Sequence, residues 1–482
     1  MACPAISLQG ERIAPEREVR VARAGSRTTH RVTAAVAGLL LALATACGGS
    51  GGDAKSGDGG AKSLTMWTFK RTHLAALQQA AEKFRTSSGI TVKVEAITPD
   101  DAFTAKIQSA AQTKNLPDVL EVHAGGEDFR IGGAGLLADL AGDFPASKLA
   151  RFLPTTREAG LVTAERQRQI TELKPAKVGN LFSVPFTAGT FGIVYANRQK
   201  MQAAGLDPAT PPKTWEEFVD HLKATTKADP KQGGLSLGLK VSQTGYNWIY
   251  VQLAYAYLGK ERYEALFGKG TTQGFASPDG VKTLELYGQL TPYWTPGATA
   301  LGIDDADIAF AQGKSAFDVG GTFTLAFLSQ NGMDPKNVLT FPIPPPTGGK
   351  ISDLRLAPLA LTGLSVTATT GDKDAAVKWV DFLTSPEGAG VFAKGSLDLP
   401  ATDLGTQAEA LIGSDLAALQ KYFTGPPENT FDFAATSFRP PGFDDAKMGP
   451  ALLKLSPLKE SDPAQTGAQL DAVLAAMWKV SS

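Results

Sequence analysis

Residues 181–197 read LFSVPFTAGTFGIVYAN. Both ends are apolar and β-prone: Leu181, Phe182 and Val184, then Phe191, Ile193, Val194 and Tyr195. Such side chains fit a pleated, half-buried surface. The middle, Pro185-Phe186-Thr187-Ala188-Gly189-Thr190, places small and hydroxyl residues where a strand wants bulk. Proline cannot donate to a ladder, and an interior glycine marks a bend or a close approach of other atoms. The stretch reads as two strands joined by a nearly extended crossing. An ordinary strand pair in a single core would look much the same, so the flanks decide.

Upstream, residues 64–69 (LTMWTF) read as a buried strand. Thr72 is placed to cap a helix with Leu74, Leu77, Ala81 and Phe84 on one face, and Gly89 to end it. Ile90, Val92, Val94 and Ala96 alternate as in a half-buried strand. Asp100 or Asp101 opens a helix carrying Phe103, Ile107 and Ala110, and Pro117-Asp118 leads into the strand 119–122. The order β-α-β-α-β argues a doubly wound α/β layer, with ligands beyond the carboxyl ends of its strands. Downstream the pattern restarts. Thr214-Trp215-Glu216-Glu217 spells a capping box before Phe218, Val219 and Leu222. An aromatic run fills 246–258, strands fall at 315–319 and 337–343, and helices at 374–383 and 463–480.

A chain of 482 residues is too long for one core and implies about two or three domains. The formal net charge of −1 gives no reason to expect a nucleic-acid partner. Both cysteines, Cys3 and Cys47, lie in the first tenth, which excludes disulfides and cysteine metal sites from the body. Arg20, Arg23, Arg27 and Arg31 precede a short apolar run, 32–46, that stops at Cys47. Fifteen residues fall short of the about 20 that span a bilayer, so 1–46 reads as a signal peptide. Its end, Leu43-Ala44-Thr45-Ala46-Cys47, resembles a bacterial lipobox, which implies lipidation at Cys47. A Gly/Ser-rich tether completes 47–63.

Catalytic spellings fail on context. Gly48-Gly49-Ser50-Gly51-Gly52 matches a nucleophile elbow but lies in the tether, without a strand and helix to strain the serine. Gly313-Lys314-Ser315 lacks the upstream glycine of a phosphate loop, and its strand follows rather than precedes it. His73, His123 and His221 follow no zinc spacing. Asp304-Asp305-Ala306-Asp307 reads as a capped helix start rather than a calcium loop. Glu121 with Glu127 stays open as a glycosidase pair, because such spacing is set by the fold. Aromatic and polar residues do gather at expected strand ends: Trp67, Phe69, Lys70, Arg71 and His73; Glu121, His123 and Glu127; Tyr246 and Trp248; and Gly320 to Phe323. Aromatic faces over sugar C–H groups, with a few charged donors, build a concave small-molecule site. Core packing accounts equally well for many of them, Trp67 above all.

Several motifs occur together in order. They are 64–84, then Leu116-Pro117-Asp118-Val119, Gly135-Leu136-Leu137-Ala138-Asp139-Leu140, Val184-Pro185, and Tyr195-Ala196-Asn197. Next come Ala204-Gly205-Leu206, Pro212 through Phe218, Phe310 through Phe317, and the 375–383 helix before Ser385-Pro386-Glu387. Over nearly all of 64–482 the chain resembles the family 1 extracellular solute-binding proteins of ABC importers, the group of the maltodextrin-binding protein. The resemblance implies an α/β fold of two lobes, each a sheet flanked by helices, joined by a multi-strand hinge. Lobe 1 would take 64–186 with 342–398, and lobe 2 would take 187–341 with 399–482. Crossings would fall near 185–190, 341–344 and 397–401.

The resemblance also implies a function. A membrane-anchored receptor on the extracellular face would capture a sugar or oligosaccharide between the lobes and deliver it to ABC permease subunits. It would act as a monomer, without enzymatic activity, cofactor, metal or nucleic acid. Ligand contacts would come from Phe69, Lys70, Arg71, Glu121, His123, Gly125, Thr190, Phe191 and Trp248, and from the turn Gly321-Thr322-Phe323. Phe323 stands where the family usually has tryptophan, which shrinks the stacking platform there. Phe438 and Arg439 would close the cleft. Two alternatives come from other classes: a lipid-anchored glycoside hydrolase using Glu121 and Glu127, and a ligand-sensing receptor subunit for another polar solute.

Overall fold

Strand β1 (Ser63–Thr68) alternates exposed and buried residues, and Leu64, Met66 and Thr68 point inward. It pairs in parallel with β2 (Thr91–Ala96) and with β3 (Val119–His123). The intervening helices, Arg71–Ser88 and Asp100–Gln112, provide the crossovers that parallel strands require. In β3, Val119 joins the main core while Leu120 and Val122 enter a second cluster with Phe69, Phe103 and Phe129. The strand is therefore covered on both faces, as in doubly wound sheets. The first helix starts two residues earlier than its sequence suggests. Lys70 occupies the cap position, Thr72 lies inside, and Gly89 ends the helix at φ 73°.

The protein is described by a computed structural model over residues 62–423 and 425–480. The expected signal peptide, Cys47 and nearly all of the expected tether lie outside the described residues. The described part belongs to one unit, residues 60–482. It contains β4 (Val184–Gly189), β5 (Phe191–Asn197), β6 (Leu235–Ser236), β7 (Phe317–Gly321) and β8 (Val338–Pro342). The short β9 (Arg355–Leu356), then β10 (Leu359–Val366) and the short β11 (Thr430–Phe431), complete the strands. The five-stranded sheet runs β2-β1-β3-β10-β4, the four-stranded sheet runs β6-β7-β5-β8, and β9 pairs with β11. Helices flank both large sheets, which gives the two-lobed α/β architecture.

Residues 181–197 contain the crossing. β4 runs antiparallel to β10 in the first sheet, and β5 runs antiparallel to β7 and β8 in the second. Only Thr190 separates them. All six residues of β4 are buried. Residues 399–401, expected at a crossing between lobes, run beside β4: Ala188 N–H donates to Leu399 O at 3.0 Å, and Ala401 N–H to Phe186 O at 2.8 Å. The chain returns from β8 to the first sheet between Pro342 and Leu359.

Candidate functional site

The carboxyl ends of β1, β3 and β7 and the start of β5 bring most of the expected residues together. The loop after β1 is fixed first. Thr68 Oγ1 accepts the Lys70 N–H at 3.0 Å and donates to Glu121 Oε2 at 2.6 Å. The other Glu121 oxygen lies 2.8 Å from His73 Nδ1, and His73 Nε2 lies 3.0 Å from Asp398 Oδ2. That same Asp398 oxygen is 3.2 Å from Lys70 Nζ. The Lys70 ammonium in turn sits 5.2 Å above the centre of the Phe323 ring, which belongs to the turn after β7. A cation from the first sheet thus rests on an aromatic face of the second.

Electrostatics follow from this crowding. Burial opposes charge on His73, yet Glu121 and Asp398 overcome it and raise the imidazole above its ordinary value. Burial likewise opposes charge on Asp398, but Lys70 and His73 hold its carboxyl down at about 2. Glu121 is lowered, despite burial, mainly by His73.

Facing Lys70 is an aromatic group. Phe191 and Trp248 are nearly parallel, with centroids 5.6 Å apart and planes 3° apart. Phe323 stands edge-on to both, at 6.3 and 6.4 Å, and Phe433 edge-on to Phe191 at 5.6 Å. These are the arrangements that ring quadrupoles favour. Gly192, at φ 77°, makes the bulge that turns Phe191 outward. A Cβ there would meet the Trp248 carbonyl and Gln252 Nε2. Gln252 Nε2 donates to Phe191 O at 2.8 Å. Trp248 lies in a wide π-type turn, Gly245–Tyr250, and is only 6% exposed. The Gly321 turn is pinned by the Tyr195 hydroxyl, which donates to Gly321 O at 2.6 Å, and by Thr322 N–H, which donates to Thr190 O at 3.0 Å. Among the described residues the buried Thr322 hydroxyl has no hydrogen-bond partner. Below the turn, Asp318 is pushed up to about 6 by burial, and Ser236 donates to it at 2.6 Å.

The first-sheet rim carries His123 stacked on Phe69 at 4.1 Å, with Nδ1 3.3 Å from Glu127 and Nε2 3.6 Å from Asp100. Gly125 and Arg71 are exposed there. Asp304, on the second-sheet helix Ile303–Ala311, is raised by burial and by the charge of Asp100. Glu121 is on this side too, but it is fully buried and both oxygens have protein donors. It supports His73 and presents nothing to a solute in this conformation. Phe438 and Arg439 lie elsewhere, in an aromatic group with Phe267 and Phe443, where the guanidinium is 4.9 Å from the Phe443 ring centre. They connect to Phe191 through Tyr263, Phe431 and Phe433.

The sequence did not single out Asp398, Phe433 or the bridging role of His73. No motif marks Asp398, 325 residues from its partner. A hollow of about 490 Å³ opens at the other end of the second sheet, lined by Lys231, Gln312, Lys314 and Ser315 among others. None of the lining residues belongs to the aromatic group. Among the described residues no cluster of three or more groups is placed to hold a metal, and no helix is long and apolar enough to cross a membrane.

Solved structures share this architecture. The GacH receptor of Streptomyces glaucescens, determined unliganded and with acarbose, superposes with a TM-score of 0.61 at 18% identity, covering 88% of this chain and 100% of that one. Maltose-bound MalE3 of T. maritima gives 0.61 at 19% identity, covering 86% and 100%. The fold is thus that of two-lobed solute-binding proteins. The family model for "bacterial extracellular solute-binding protein" matches residues 71–390, and the chain belongs to that family. The sn-glycerol-3-phosphate-binding periplasmic protein UgpB of Salmonella typhimurium is 26% identical over 306 residues, 61% of this chain. The match spans 63% of that relative's length.

Proposed function

We propose that the chain captures a sugar or a similar polyhydroxylated solute between its two sheets and delivers it to ABC permease subunits as a binding protein, not an enzyme. The observation that carries this reading is the aromatic group Phe191, Trp248 and Phe323 facing a charged donor, Lys70, from the opposite sheet. Stacking faces beside a few fixed donors are the usual means of holding sugar rings. Phe69, Arg71, His123, Gly125, Thr190, Gly321 and Thr322 complete the proposed contact surface. The lobes meet at Thr190, and a lipid on Cys47 tethers the body to the outer membrane face as a monomer. Mass spectrometry of the membrane-fraction protein tests the anchor by looking for acyl chains on Cys47.

Binding is tested by thermal shift of residues 63–482 against maltotriose, raffinose and sn-glycerol 3-phosphate. A specific binder raises the melting temperature with concentration over its dissociation constant. Phe323 is only half-buried. Phe323→Ala should therefore remove the ligand-induced shift while lowering the apo melting temperature little. A full shift retained in Phe323→Ala would remove the aromatic group from the site.

A further inference from the structure

We propose that His73 is a positioning residue of the cleft: bridging Glu121 and Asp398, it fixes the carboxylate that holds the Lys70 ammonium over Phe323, where Lys70 donates to solute hydroxyls. This rests on the solute-binding reading above. His73 is fully buried and reaches no solute itself. Each ring nitrogen has a carboxylate oxygen within hydrogen-bond distance, at 2.8 and 3.0 Å. Ionised carboxylates only accept, and a neutral imidazole has a single donor, so both contacts are satisfied together by the imidazolium. Charges then balance two against two, Lys70 and His73 with Glu121 and Asp398. A lone charge at this depth would be strongly destabilising.

Aromatic rings and a held carboxylate surround the imidazole. Phe392 and Phe186 stand edge-on to it at 4.8 and 6.2 Å. The second Asp398 oxygen accepts the Leu399 N–H at 2.9 Å, which opposes rotation of that carboxylate. The charged groups that bear on His73 are Glu121 from β3, Asp398 from the segment beside β4, and Lys70 from its own loop. Lys70 is thus tied through Asp398 to the strand that leads into the crossing, and its ammonium lies at the cleft with part of the side chain exposed. An ordered ammonium can donate to hydroxyls without first losing the rotamer entropy of a free lysine.

The test is NMR of protein labelled with 15N at lysine Nζ and in the histidine rings. An ordered ammonium gives a slowly exchanging signal, assigned to Lys70 by its loss in Lys70→Met. That signal is expected in wild type and absent in His73→Gln. A Lys70 signal unchanged in His73→Gln, or none in wild type, overturns the proposal. Should His73→Gln not fold, the wild-type ring decides: both nitrogens protonated at pH 7 supports the proposal, and a neutral ring overturns it. Maltotriose, raffinose and sn-glycerol 3-phosphate are then added singly. Any probe that raises the melting temperature should also move the Lys70 signal, and one that binds without moving it overturns the donor role. If none binds, the solute reading fails on that panel while the His73→Gln comparison still decides the positioning.

Discussion

At Asp398 one carboxylate oxygen faces both Lys70 Nζ, at 3.2 Å, and His73 Nε2, at 3.0 Å, and the other accepts the Leu399 N–H. The carboxyl is held at about 2, below its ordinary 3.8. A depressed folded value means stability that is present above the unfolded value and lost as pH falls through the folded one, here on the order of 2 kcal/mol. His73 has the opposite sign. Its raised value contributes fully below 6.5 and is lost as pH rises through the folded value. The melting temperature should therefore fall on the acid side between about pH 4 and pH 2, and again on the alkaline side once His73 deprotonates. Asp398→Asn should melt lower than wild type at pH 7 and lose less on acidification. Parallel acid limbs for the two proteins would show that Asp398 is not the group responsible.

The helix Trp215–Ala228 shows what local sequence decides. Thr214 Oγ1 accepts the Glu217 N–H at 3.2 Å, and Glu217 reaches back to the Lys213 N–H at 2.6 Å, one residue before the cap of a standard capping box. Thr214→Ala should cost about 1 kcal/mol in urea unfolding, and Thr214→Ser much less. Equal stability of all three proteins would mean that water replaces the cap. Elements of this kind were legible: the strand alternation after β1, the Gly89 helix end, and the Trp379 face of the helix Lys373–Leu383. The start of the first helix was not, because Thr68 rather than Thr72 organises it from outside. The candidate site was legible in part. Phe69, Lys70, Phe191 and Trp248 stand at strand ends or turns that the pattern located. Glu121 looked like a ligand contact because β3 ends near it, but its direction depends on His73 and Thr68. Pairing of residues 399–401 with β4 had no local signal at all, since such contacts follow from how distant segments pack.

On the proposed reading closure involves the whole molecule, and its pivot is placed at Gly189. This residue ends β4 in the first sheet, one residue before β5 begins the second. A Cβ there would collide with Thr322 Oγ1 from the turn after β7 and come within 2.8 Å of Leu361 Cδ1 on β10. The first contact belongs to the second sheet and the second to the first, so a side chain at Gly189 wedges the crossing between them. Gly189 has no positive φ, so a substitution is opposed by space and not by backbone strain. Overpacking of this size typically costs about 1–3 kcal/mol, which a protein of this core can absorb. Thr322 also holds the turn that presents Phe323, through its N–H to Thr190 O at 3.0 Å. Gly189→Val should therefore remain folded but shift the balance toward the open arrangement. A solute can close it only by its differential affinity for the closed state. Small-angle scattering with a saturating binder should show compaction in wild type and little or none in Gly189→Val, with solute affinity reduced in parallel. Undiminished compaction in the variant would move the pivot away from Gly189 and Thr190, leaving the return between β8 and β10 to carry the motion.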